Sequence, residues 1–327
     1  MRGRPIQLAA LLIVAVLASS CAQQVGALSP ASAADGQVAA SQRLAMAPRP
    51  HTAAPANIKP LVKPAMRGEG VWKPKGRKLG GWPVSEVTFL RPAPGVTASV
   101  VWMDPLLGAF SLFAGTSDPG GSGWKHSAMV PMKLHPALAA TFNSGFKVHD
   151  SKGGYYAYGK YAAALKKGAA SVVIFKDGTA TVGAWGSGRL RMSSKIAVVR
   201  QTLTLMVSKG KILKSVHLPY LHWGITIAGY GAAVWRTGIG VTATGAIVFV
   251  GGSGLTPVTL AKTLQRAGCV TAMQLDINPE WPALNLYTTA PRSPLHISPH
   301  KILPTFSSPT RFIASPDSRD FFAVFVR

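Results

Sequence analysis

Residues 270–281 read VTAMQLDINPEW. The stretch begins as a short apolar run and ends in two carboxylates, Asp276 and Glu280, around an Asn-Pro break. They are the only acidic residues between Asp177 and Asp317, so the chain places scarce carboxylates together at the predicted end of a strand. This favours a role in chemistry. A turn in which Asp and Asn side chains hydrogen-bond their own backbone explains the pattern equally well.

A helix is predicted immediately before this strand. Thr256 can cap its N-terminus, Pro257 suits its first turn, and Leu260 and Leu264 give it an apolar face. Gly268 is suited to end it. The helix and strand together would deliver the first carboxylate to the end of a strand.

Short apolar runs elsewhere indicate β-structure. The best hairpin joins residues 171–176 to 179–183 through Asp177-Gly178, which suits a type I′ turn. A single helical turn is expected around residues 135–139. Further strands are predicted at residues 96–102, 109–114, 196–207, 234–241, 245–250 and 321–326. We therefore expect an α+β fold of mostly antiparallel or mixed β-sheets with few helices, in one globular domain of residues 83–327.

The composition indicates a basic protein. The 327 residues carry a formal net charge of +24, from 35 basic and 11 acidic side chains. Residues 1–82 hold eleven basic and two acidic side chains, which leaves +15 for residues 83–327. A basic body favours anionic partners such as phosphates, anionic envelope polymers or membrane surfaces. Nucleic acid is not expected, because the basic residues are scattered and match no nucleic-acid-binding motif.

The N-terminus has the features of an export signal. Met1–Arg4 is positively charged, residues 8–17 are apolar, and small residues at 18–20 precede Cys21. Residues 18–21 also resemble the lipobox of bacterial lipoproteins, with Cys21 as the lipidation site. We expect an exported protein, either secreted or held by a lipid anchor on the outer face of the cytoplasmic membrane.

Residues 22–82 are rich in Ala, Pro and basic side chains and show no periodicity. Such a composition buries too little apolar area to offset the entropy of ordering the chain. The sequence predicts a disordered basic tether here.

Two polar positions could contact a ligand. Asn143 ends an apolar run and offers a side-chain amide that can donate and accept hydrogen bonds. Gly145, two residues later, allows a ligand to approach the backbone closely. An ordinary turn is the alternative. Arg236 lies in an otherwise apolar strand and needs an anionic partner, which could be an internal carboxylate or a ligand phosphate.

The glycine-rich segment 251–254 runs into the helix at Thr256, where free amides suit an anion. It lacks the Gly-Lys-Ser/Thr ending of a nucleotide-binding P-loop, and a tight loop without ligand is the alternative.

Metal binding is weakly indicated. Residues 276, 278 and 280 offer oxygen atoms at alternate positions, but Trp281 and Tyr287 stand where a calcium EF-hand needs Gly and an acid. A looser divalent-cation site, such as one for calcium, stays open. No zinc-ligand spacing appears among the eight histidines, so no cofactor is otherwise expected.

Taken in order, several of these motifs resemble the phosphodiester glycosidase family. They are Asn143–Phe146, Arg236–Gly240, Gly251–Thr256 and Leu275-Asp276. The likeness covers about residues 83–327. Residues 277–281 replace a glycine-rich segment of the family pattern, which indicates a divergent branch.

The resemblance implies an exported hydrolase of a glycosyl phosphodiester or a related cell-envelope glycan. Asp276 would be the general acid/base, Glu280 a second carboxylate at the roughly 5–9.5 Å separation that glycosidases use, and Arg236 a phosphate clamp. Substrate contacts would come from Asn143, Gly145, Gly252, Ser253 and Trp281. The alternative is a non-catalytic protein that binds envelope glycans or anionic polymers with the same fold.

Overall fold

A computed structural model describes residues 50–53, 55–224, 232–290 and 293–327. Within them the named strands are β1 Lys73–Pro74, β2 Lys78–Leu79, β3 Trp82–Pro83, β4 Ser85–Ala93, β5 Val96–Met103, β6 Gly108–Phe113, β7 Leu138–Asn143, β8 Tyr155–Ala157, β9 Lys160–Ala163, β10 Ala170–Phe175, β11 Ala180–Ala184, β12 Ile196–Gln201, β13 Leu205–Ser208, β14 Lys211–Ile212, β15 Val234–Thr242, β16 Ile247–Leu255, β17 Cys269–Gln274, β18 Leu284–Ala290, β19 Ser293–Lys301 and β20 Phe321–Val326. The described α-helix is α1, Pro257–Arg266. Short 3-10 helices span Met132–Ala137, Lys214–His217 and Tyr220–Trp223.

The strands form three sheets and a small hairpin. An eight-stranded sheet has the order β1-β4-β5-β16-β15-β17-β13-β14, and two five-stranded sheets have the orders β19-β18-β7-β20-β6 and β11-β10-β12-β8-β9. Strands β2 and β3 pair separately. Neighbouring named strands run antiparallel throughout. The predicted α+β class with mostly antiparallel sheets is therefore confirmed.

Alternation along the strands divides the core between the two faces of the large sheet. In β5, Val101 and Met103 pack in a cluster with Phe142 of β7 and Phe322 of β20. Their neighbour Val100 belongs to a second cluster on the opposite face, because successive side chains of a strand point to opposite sides. The large sheet is consequently buried on both sides.

Helix α1 covers the second face. Leu260, Ala261 and Leu264 are fully buried there, and each buried leucine contributes about 1.5–3 kcal/mol. The predicted cap is present: Thr256 Oγ1 accepts a hydrogen bond from Thr259 N at 3.1 Å, and Thr259 Oγ1 accepts one from Thr256 N at 2.8 Å. No helix in the described ranges is long and apolar enough to cross a membrane.

The packed part of the chain begins earlier than the sequence predicted. The described residues from position 50 onward belong to one compact unit. Ile58 and Trp72 are both buried, and β1 pairs with β4. The prediction of a disordered tether is wrong for residues 50–53 and 55–82, because these two side chains anchor a segment whose average composition is poor in apolar residues. The rest of the predicted tether and the signal segment with Cys21 lie outside the described residues.

Two local predictions also need correction. Residues 196–207 were expected to form one strand, but β12 and β13 are separated at residues 202–204, where Leu203 adopts a φ of 54°. The glycine-rich segment 251–254 is the end of β16 and not a loop.

Candidate active site

The ends of three strands meet at one edge of the structure. Phe321, the first residue of β20, pairs with Asn143, the last residue of β7. Beyond β17 the ladder continues, because Leu275 N donates to Thr237 O at 2.8 Å and Thr237 N donates to Asp276 O at 2.9 Å. Asp276 is therefore held by a continuous ladder just past the strand end.

The carboxylate of Asp276 is buried and fully engaged. Its Oδ1 accepts hydrogen bonds from Ile277 N at 2.7 Å and Asn278 N at 3.0 Å, and its Oδ2 accepts one from Arg319 Nη2 at 3.0 Å. Only 2% of the residue is exposed. Burial raises the pKa of Asp276, while the charge of Arg319 and the two amides oppose that rise. Opposed influences of this kind suit a group that exchanges a proton.

Arg319 links this carboxylate to its surroundings. The same Nη2 donates to Gly145 O at 2.9 Å, and Nε lies 3.6 Å from Asp118 Oδ2. The guanidinium carbon is 5.1 Å from the centre of the Trp281 ring. Within the described chain, neither Nη1 nor Nε of Arg319 has a hydrogen-bond partner. Nη1 of Arg319 is thus a donor that an anionic ligand could use.

A second ion pair lies behind Arg319. Arg200 Nε donates to Asp320 Oδ2 at 2.7 Å with both side chains buried. Burial raises the pKa of Asp118, and the charge of Asp320 adds to this; the Val148 amide and the charges of Arg200 and Arg319 act in the opposite direction. The site therefore contains positive and negative side chains in alternation.

Asp276 opens onto a cleft of about 510 Å³. A volume of this size is typical of small-molecule sites. Its lining combines acidic, basic and aromatic side chains: Phe146, Lys147, Asp150, Ala233, Val234, Trp235, Ser253, Asp276, Ile277, Asn278, Pro279, Trp281 and Arg319. Three of the residues expected from the sequence, Asp276, Ser253 and Trp281, are thus brought together here.

Asn143 lies behind the cleft and supports it. Its Nδ2 donates to Thr237 Oγ1 at 2.9 Å and to Ser144 O at 2.8 Å, and its Oδ1 accepts from Ala283 N at 3.2 Å. Thr237 Oγ1 in turn accepts from Asp276 N at 3.1 Å. Asn143 was expected to contact substrate. Its side-chain amide instead bonds to the protein through both its nitrogen and its oxygen, and it fixes the strand end.

Arg236 does not reach the cleft. It is fully buried, and it donates to the carbonyls of Leu255, Trp223 and Ala232 at 3.0–3.2 Å and to Gln274 Oε1 at 2.7 Å. Burial lowers the pKa of Arg236 to about 10. The prediction of a phosphate clamp at Arg236 needs correction, because its N–H groups donate to three backbone carbonyls and one side-chain amide, and the residue does not line the cleft.

Glu280 also departs from the expectation. It is exposed and does not line the cleft that Asp276 lines. Its amide donates to Asn278 Oδ1 at 3.1 Å, so the turn uses Asp and Asn side chains on its own backbone as the sequence allowed. Asp150 is the second carboxylate on the cleft wall.

The two glycines expected to contact substrate instead allow the chain to pack closely on itself. A Cβ on Gly145 would lie 2.0 Å from Thr202 Oγ1, and one on Gly252 would lie 2.5 Å from Thr97 O. Neighbouring atoms of the protein leave no room for a side chain at either glycine. Ser253, the next residue in β16, is exposed and faces the cleft.

Sequence reasoning missed Arg319. The segment Asp317-Ser318-Arg319-Asp320 places two of the eleven acids around an arginine just before a strong strand, which is the same signal that drew attention to Asp276. The described residues contain no group of three or more His, Cys, Asp or Glu side chains placed to hold a metal ion. The oxygens of Asp276 and Asn278 accept N–H groups of the protein.

Comparison with known proteins agrees with the sequence resemblance. Residues 137–276 match the family model for phosphodiester glycosidase. The catalytic domain of zebrafish N-acetylglucosamine-1-phosphodiester alpha-N-acetylglucosaminidase is 15% identical, with 86% of this chain and 97% of that chain covered and a TM-score of 0.48. A hypothetical protein from Synechocystis is 14% identical over 78% of this chain and 64% of its own, with a TM-score of 0.43. No curated protein matched the chain.

Proposed function

We propose that this chain, which belongs to the phosphodiester glycosidase family through residues 137–276, is an exported hydrolase of glycosyl phosphodiesters. The observation that carries the proposal is the contact between the buried carboxylate of Asp276 and Arg319 at the wall of the cleft. An ionisable carboxylate next to a cation, in a cleft large enough for a sugar phosphate, supports this reaction.

The cleft lining fits such a substrate. Arg319 and Lys147 offer positive charge for a phosphate. Trp235 and Trp281 present aromatic rings, and a ring face of this kind can pack against the apolar face of a sugar. Ser253 adds a hydroxyl that can pair with a sugar hydroxyl.

The proposed reaction transfers the sugar to water. Asp276, in its protonated form, donates its proton to the oxygen that joins the sugar carbon to phosphorus, and the carbon–oxygen bond breaks. Water adds to the sugar carbon and gives up a proton to Asp150, which is half-exposed on the same cleft wall. The products are a free sugar and a phosphate monoester. Arg319 stabilises charge on the departing phosphate.

Export is part of the proposal and is supported by the N-terminal pattern. The basic residues before position 5, the apolar run and the small residues before Cys21 are typical of a secretory signal with a lipidation site. A lipid anchor at Cys21 would hold the cleft near envelope glycans.

The test is hydrolysis of an aryl phospho-N-acetylglucosamine diester by the mature protein in ¹⁸O-labelled water. We expect aryl phosphate and N-acetylglucosamine that carries the label, because water attacks the sugar carbon. Label in the phosphate would contradict the glycosidase chemistry. Absence of turnover with this diester and with a panel of other glycosyl phosphodiesters, together with salt-sensitive binding of them, would establish the non-catalytic alternative.

A further inference from the structure

A second concave site lies outside the cleft and is strongly basic. It has a volume of about 250 Å³. It is lined by Lys152, Lys166, Lys167, Gly168, Ala169, Leu203, Thr204 and His222. No carboxylate lines it, and none of the three lysine ammonium groups has a hydrogen bond or ion pair within the described part of the chain. We refer to it as the lysine pocket.

The backbone that carries these lysines is held in place. Gln201 is fully buried; its Oε1 accepts from Lys166 N at 2.8 Å, and its Nε2 donates to Lys166 O at 3.0 Å. Lys152 adopts a φ of 53°, and its neighbour Ser151 is bonded on both sides, since Leu203 N donates to Ser151 O at 2.8 Å and Ser151 N donates to Lys147 O at 2.8 Å. The backbone at Lys152 and Lys166 is therefore held in place, so no backbone ordering is needed when their exposed ammonium groups bind an anion.

The lysine pocket lies close to the cleft along the chain. Lys147 and Asp150 line the cleft, and Lys152 of the same turn lines the pocket. Five residues of chain span at most about 17 Å, so the two sites are neighbours. The turn also contacts Asp118, the carboxylate beside Arg319, because Val148 N donates to Asp118 Oδ1 at 3.0 Å.

Charge distinguishes the two sites. The cleft balances Asp276 and Asp150 against Arg319 and Lys147, which is sufficient for one phosphate and the reacting sugar. The lysine pocket has no internal counter-charge, so it is suited to an anion brought by a ligand. A single ligand that fills both sites would carry a phosphodiester in the cleft and a further anionic group, such as a second phosphate, in the lysine pocket.

We propose that the lysine pocket is a subsite for a further phosphate of a polymeric substrate, so that the cleft acts on glycosyl groups of a poly(phosphodiester) chain. This inference rests on the proposed function, since it names the substrate class of that cleft. Lys152, Lys166 and Lys167 bind the neighbouring phosphate, and the shared turn sets its distance from Asp276.

The first measurement is direct binding of soluble poly(glycerol phosphate) to the full chain by calorimetry. The variant K152Q/K166Q/K167Q is compared with K73Q/K75Q/K78Q, which removes the same charge from exposed positions in the β1–β2 region. We expect the first variant to weaken binding roughly tenfold or more, because up to three charge contacts are lost, and the second to weaken it less than threefold. Equal losses would overturn the proposal, since net charge alone would then explain binding.

The second measurement links the pocket to the cleft. Poly(glycerol phosphate) should inhibit turnover of the aryl phosphodiester by the unmodified protein and by K73Q/K75Q/K78Q, and K152Q/K166Q/K167Q should escape inhibition while its kcat/KM for the short diester stays within about twofold of normal. Binding of the polymer without inhibition would overturn the shared-substrate inference. A protein that binds the polymer through these lysines but cleaves no diester would contradict the proposed hydrolase and leave the anion subsite standing.

Discussion

Arg236 and Arg319 are both almost fully buried, yet they have different partners. Arg236 donates to backbone carbonyls and Gln274, whereas Arg319 donates to Asp276 and Gly145 O. A buried cation must find acceptors, and the elements around it decide which ones. Burial beside carbonyls makes Arg236 a structural residue, and contact with a cleft carboxylate makes Arg319 a functional candidate.

Replacing Arg236 tests this division. Arg236→Gln removes the guanidinium donors to the carbonyls of Leu255 and Ala232 and to Gln274 Oε1, and we expect the free energy of unfolding to fall by about 3 kcal/mol or more. Urea unfolding would measure it, with the exposed Arg67→Gln as the control. The kcat of the folded fraction should stay near normal. Loss of kcat at unchanged stability would instead restore Arg236 as a phosphate clamp.

Replacing Arg319 should change the pH dependence of hydrolysis. Burial holds the pKa of Asp276 above its usual value, and Arg319 limits that rise. If the protonated form is the active one, kcat falls as pH increases through this pKa. Arg319→Gln removes the opposing charge, so the falling limb should move to higher pH while kcat drops about 10²-fold. A limb that stays in place or moves to lower pH would show that Arg319 does not act on Asp276.

Among the elements, local sequence patterns predicted individual helices and strands well. They did not predict contacts between positions that are distant along the chain. Helix α1, with its cap at Thr256, and the final strand Phe321–Val326 were predicted closely, because capping residues and apolar runs are local signals. The contact between Arg319 and Asp276 was not predicted, because it joins positions 43 residues apart. It depends on how β20 pairs with β7. Family likeness pointed to Asp276, but no local rule distinguishes it from Glu280.

The cap of α1 can be tested on its own. Thr256→Ala removes the acceptor of the Thr259 amide, and we expect a loss of about 1 kcal/mol in the free energy of unfolding. Thr97→Ala, at an exposed strand position, serves as the control and should change stability by less than about 0.5 kcal/mol. Equal effects of the two variants would show that the capping box contributes nothing to stability.

At the scale of the whole molecule, the segment before residue 83 belongs to the fold. The average composition of residues 22–82 predicted a tether. That segment nevertheless contains two apolar residues, Ile58 and Trp72, which are buried because they pack against distant strands. A chain that starts at residue 83 loses this packing and the pairing of β1 with β4. We expect it to melt several degrees lower than a chain that starts at residue 49, or to be insoluble. Thermal unfolding of the two chains measures this, and equal melting temperatures would contradict the packing.

Asp276, and not Glu280, is the acid that we propose for the cleft. The most direct measurement is turnover of the aryl phospho-N-acetylglucosamine diester by Asp276→Asn and Glu280→Gln, with circular dichroism to confirm that both are folded. Because Asp276 lines the cleft beside Arg319 and Glu280 is exposed outside it, Asp276→Asn should lower kcat by about 10²- to 10⁴-fold. Glu280→Gln should retain nearly all of it. A folded Asp276→Asn protein with normal turnover, or a Glu280→Gln protein with none, would contradict the assignment.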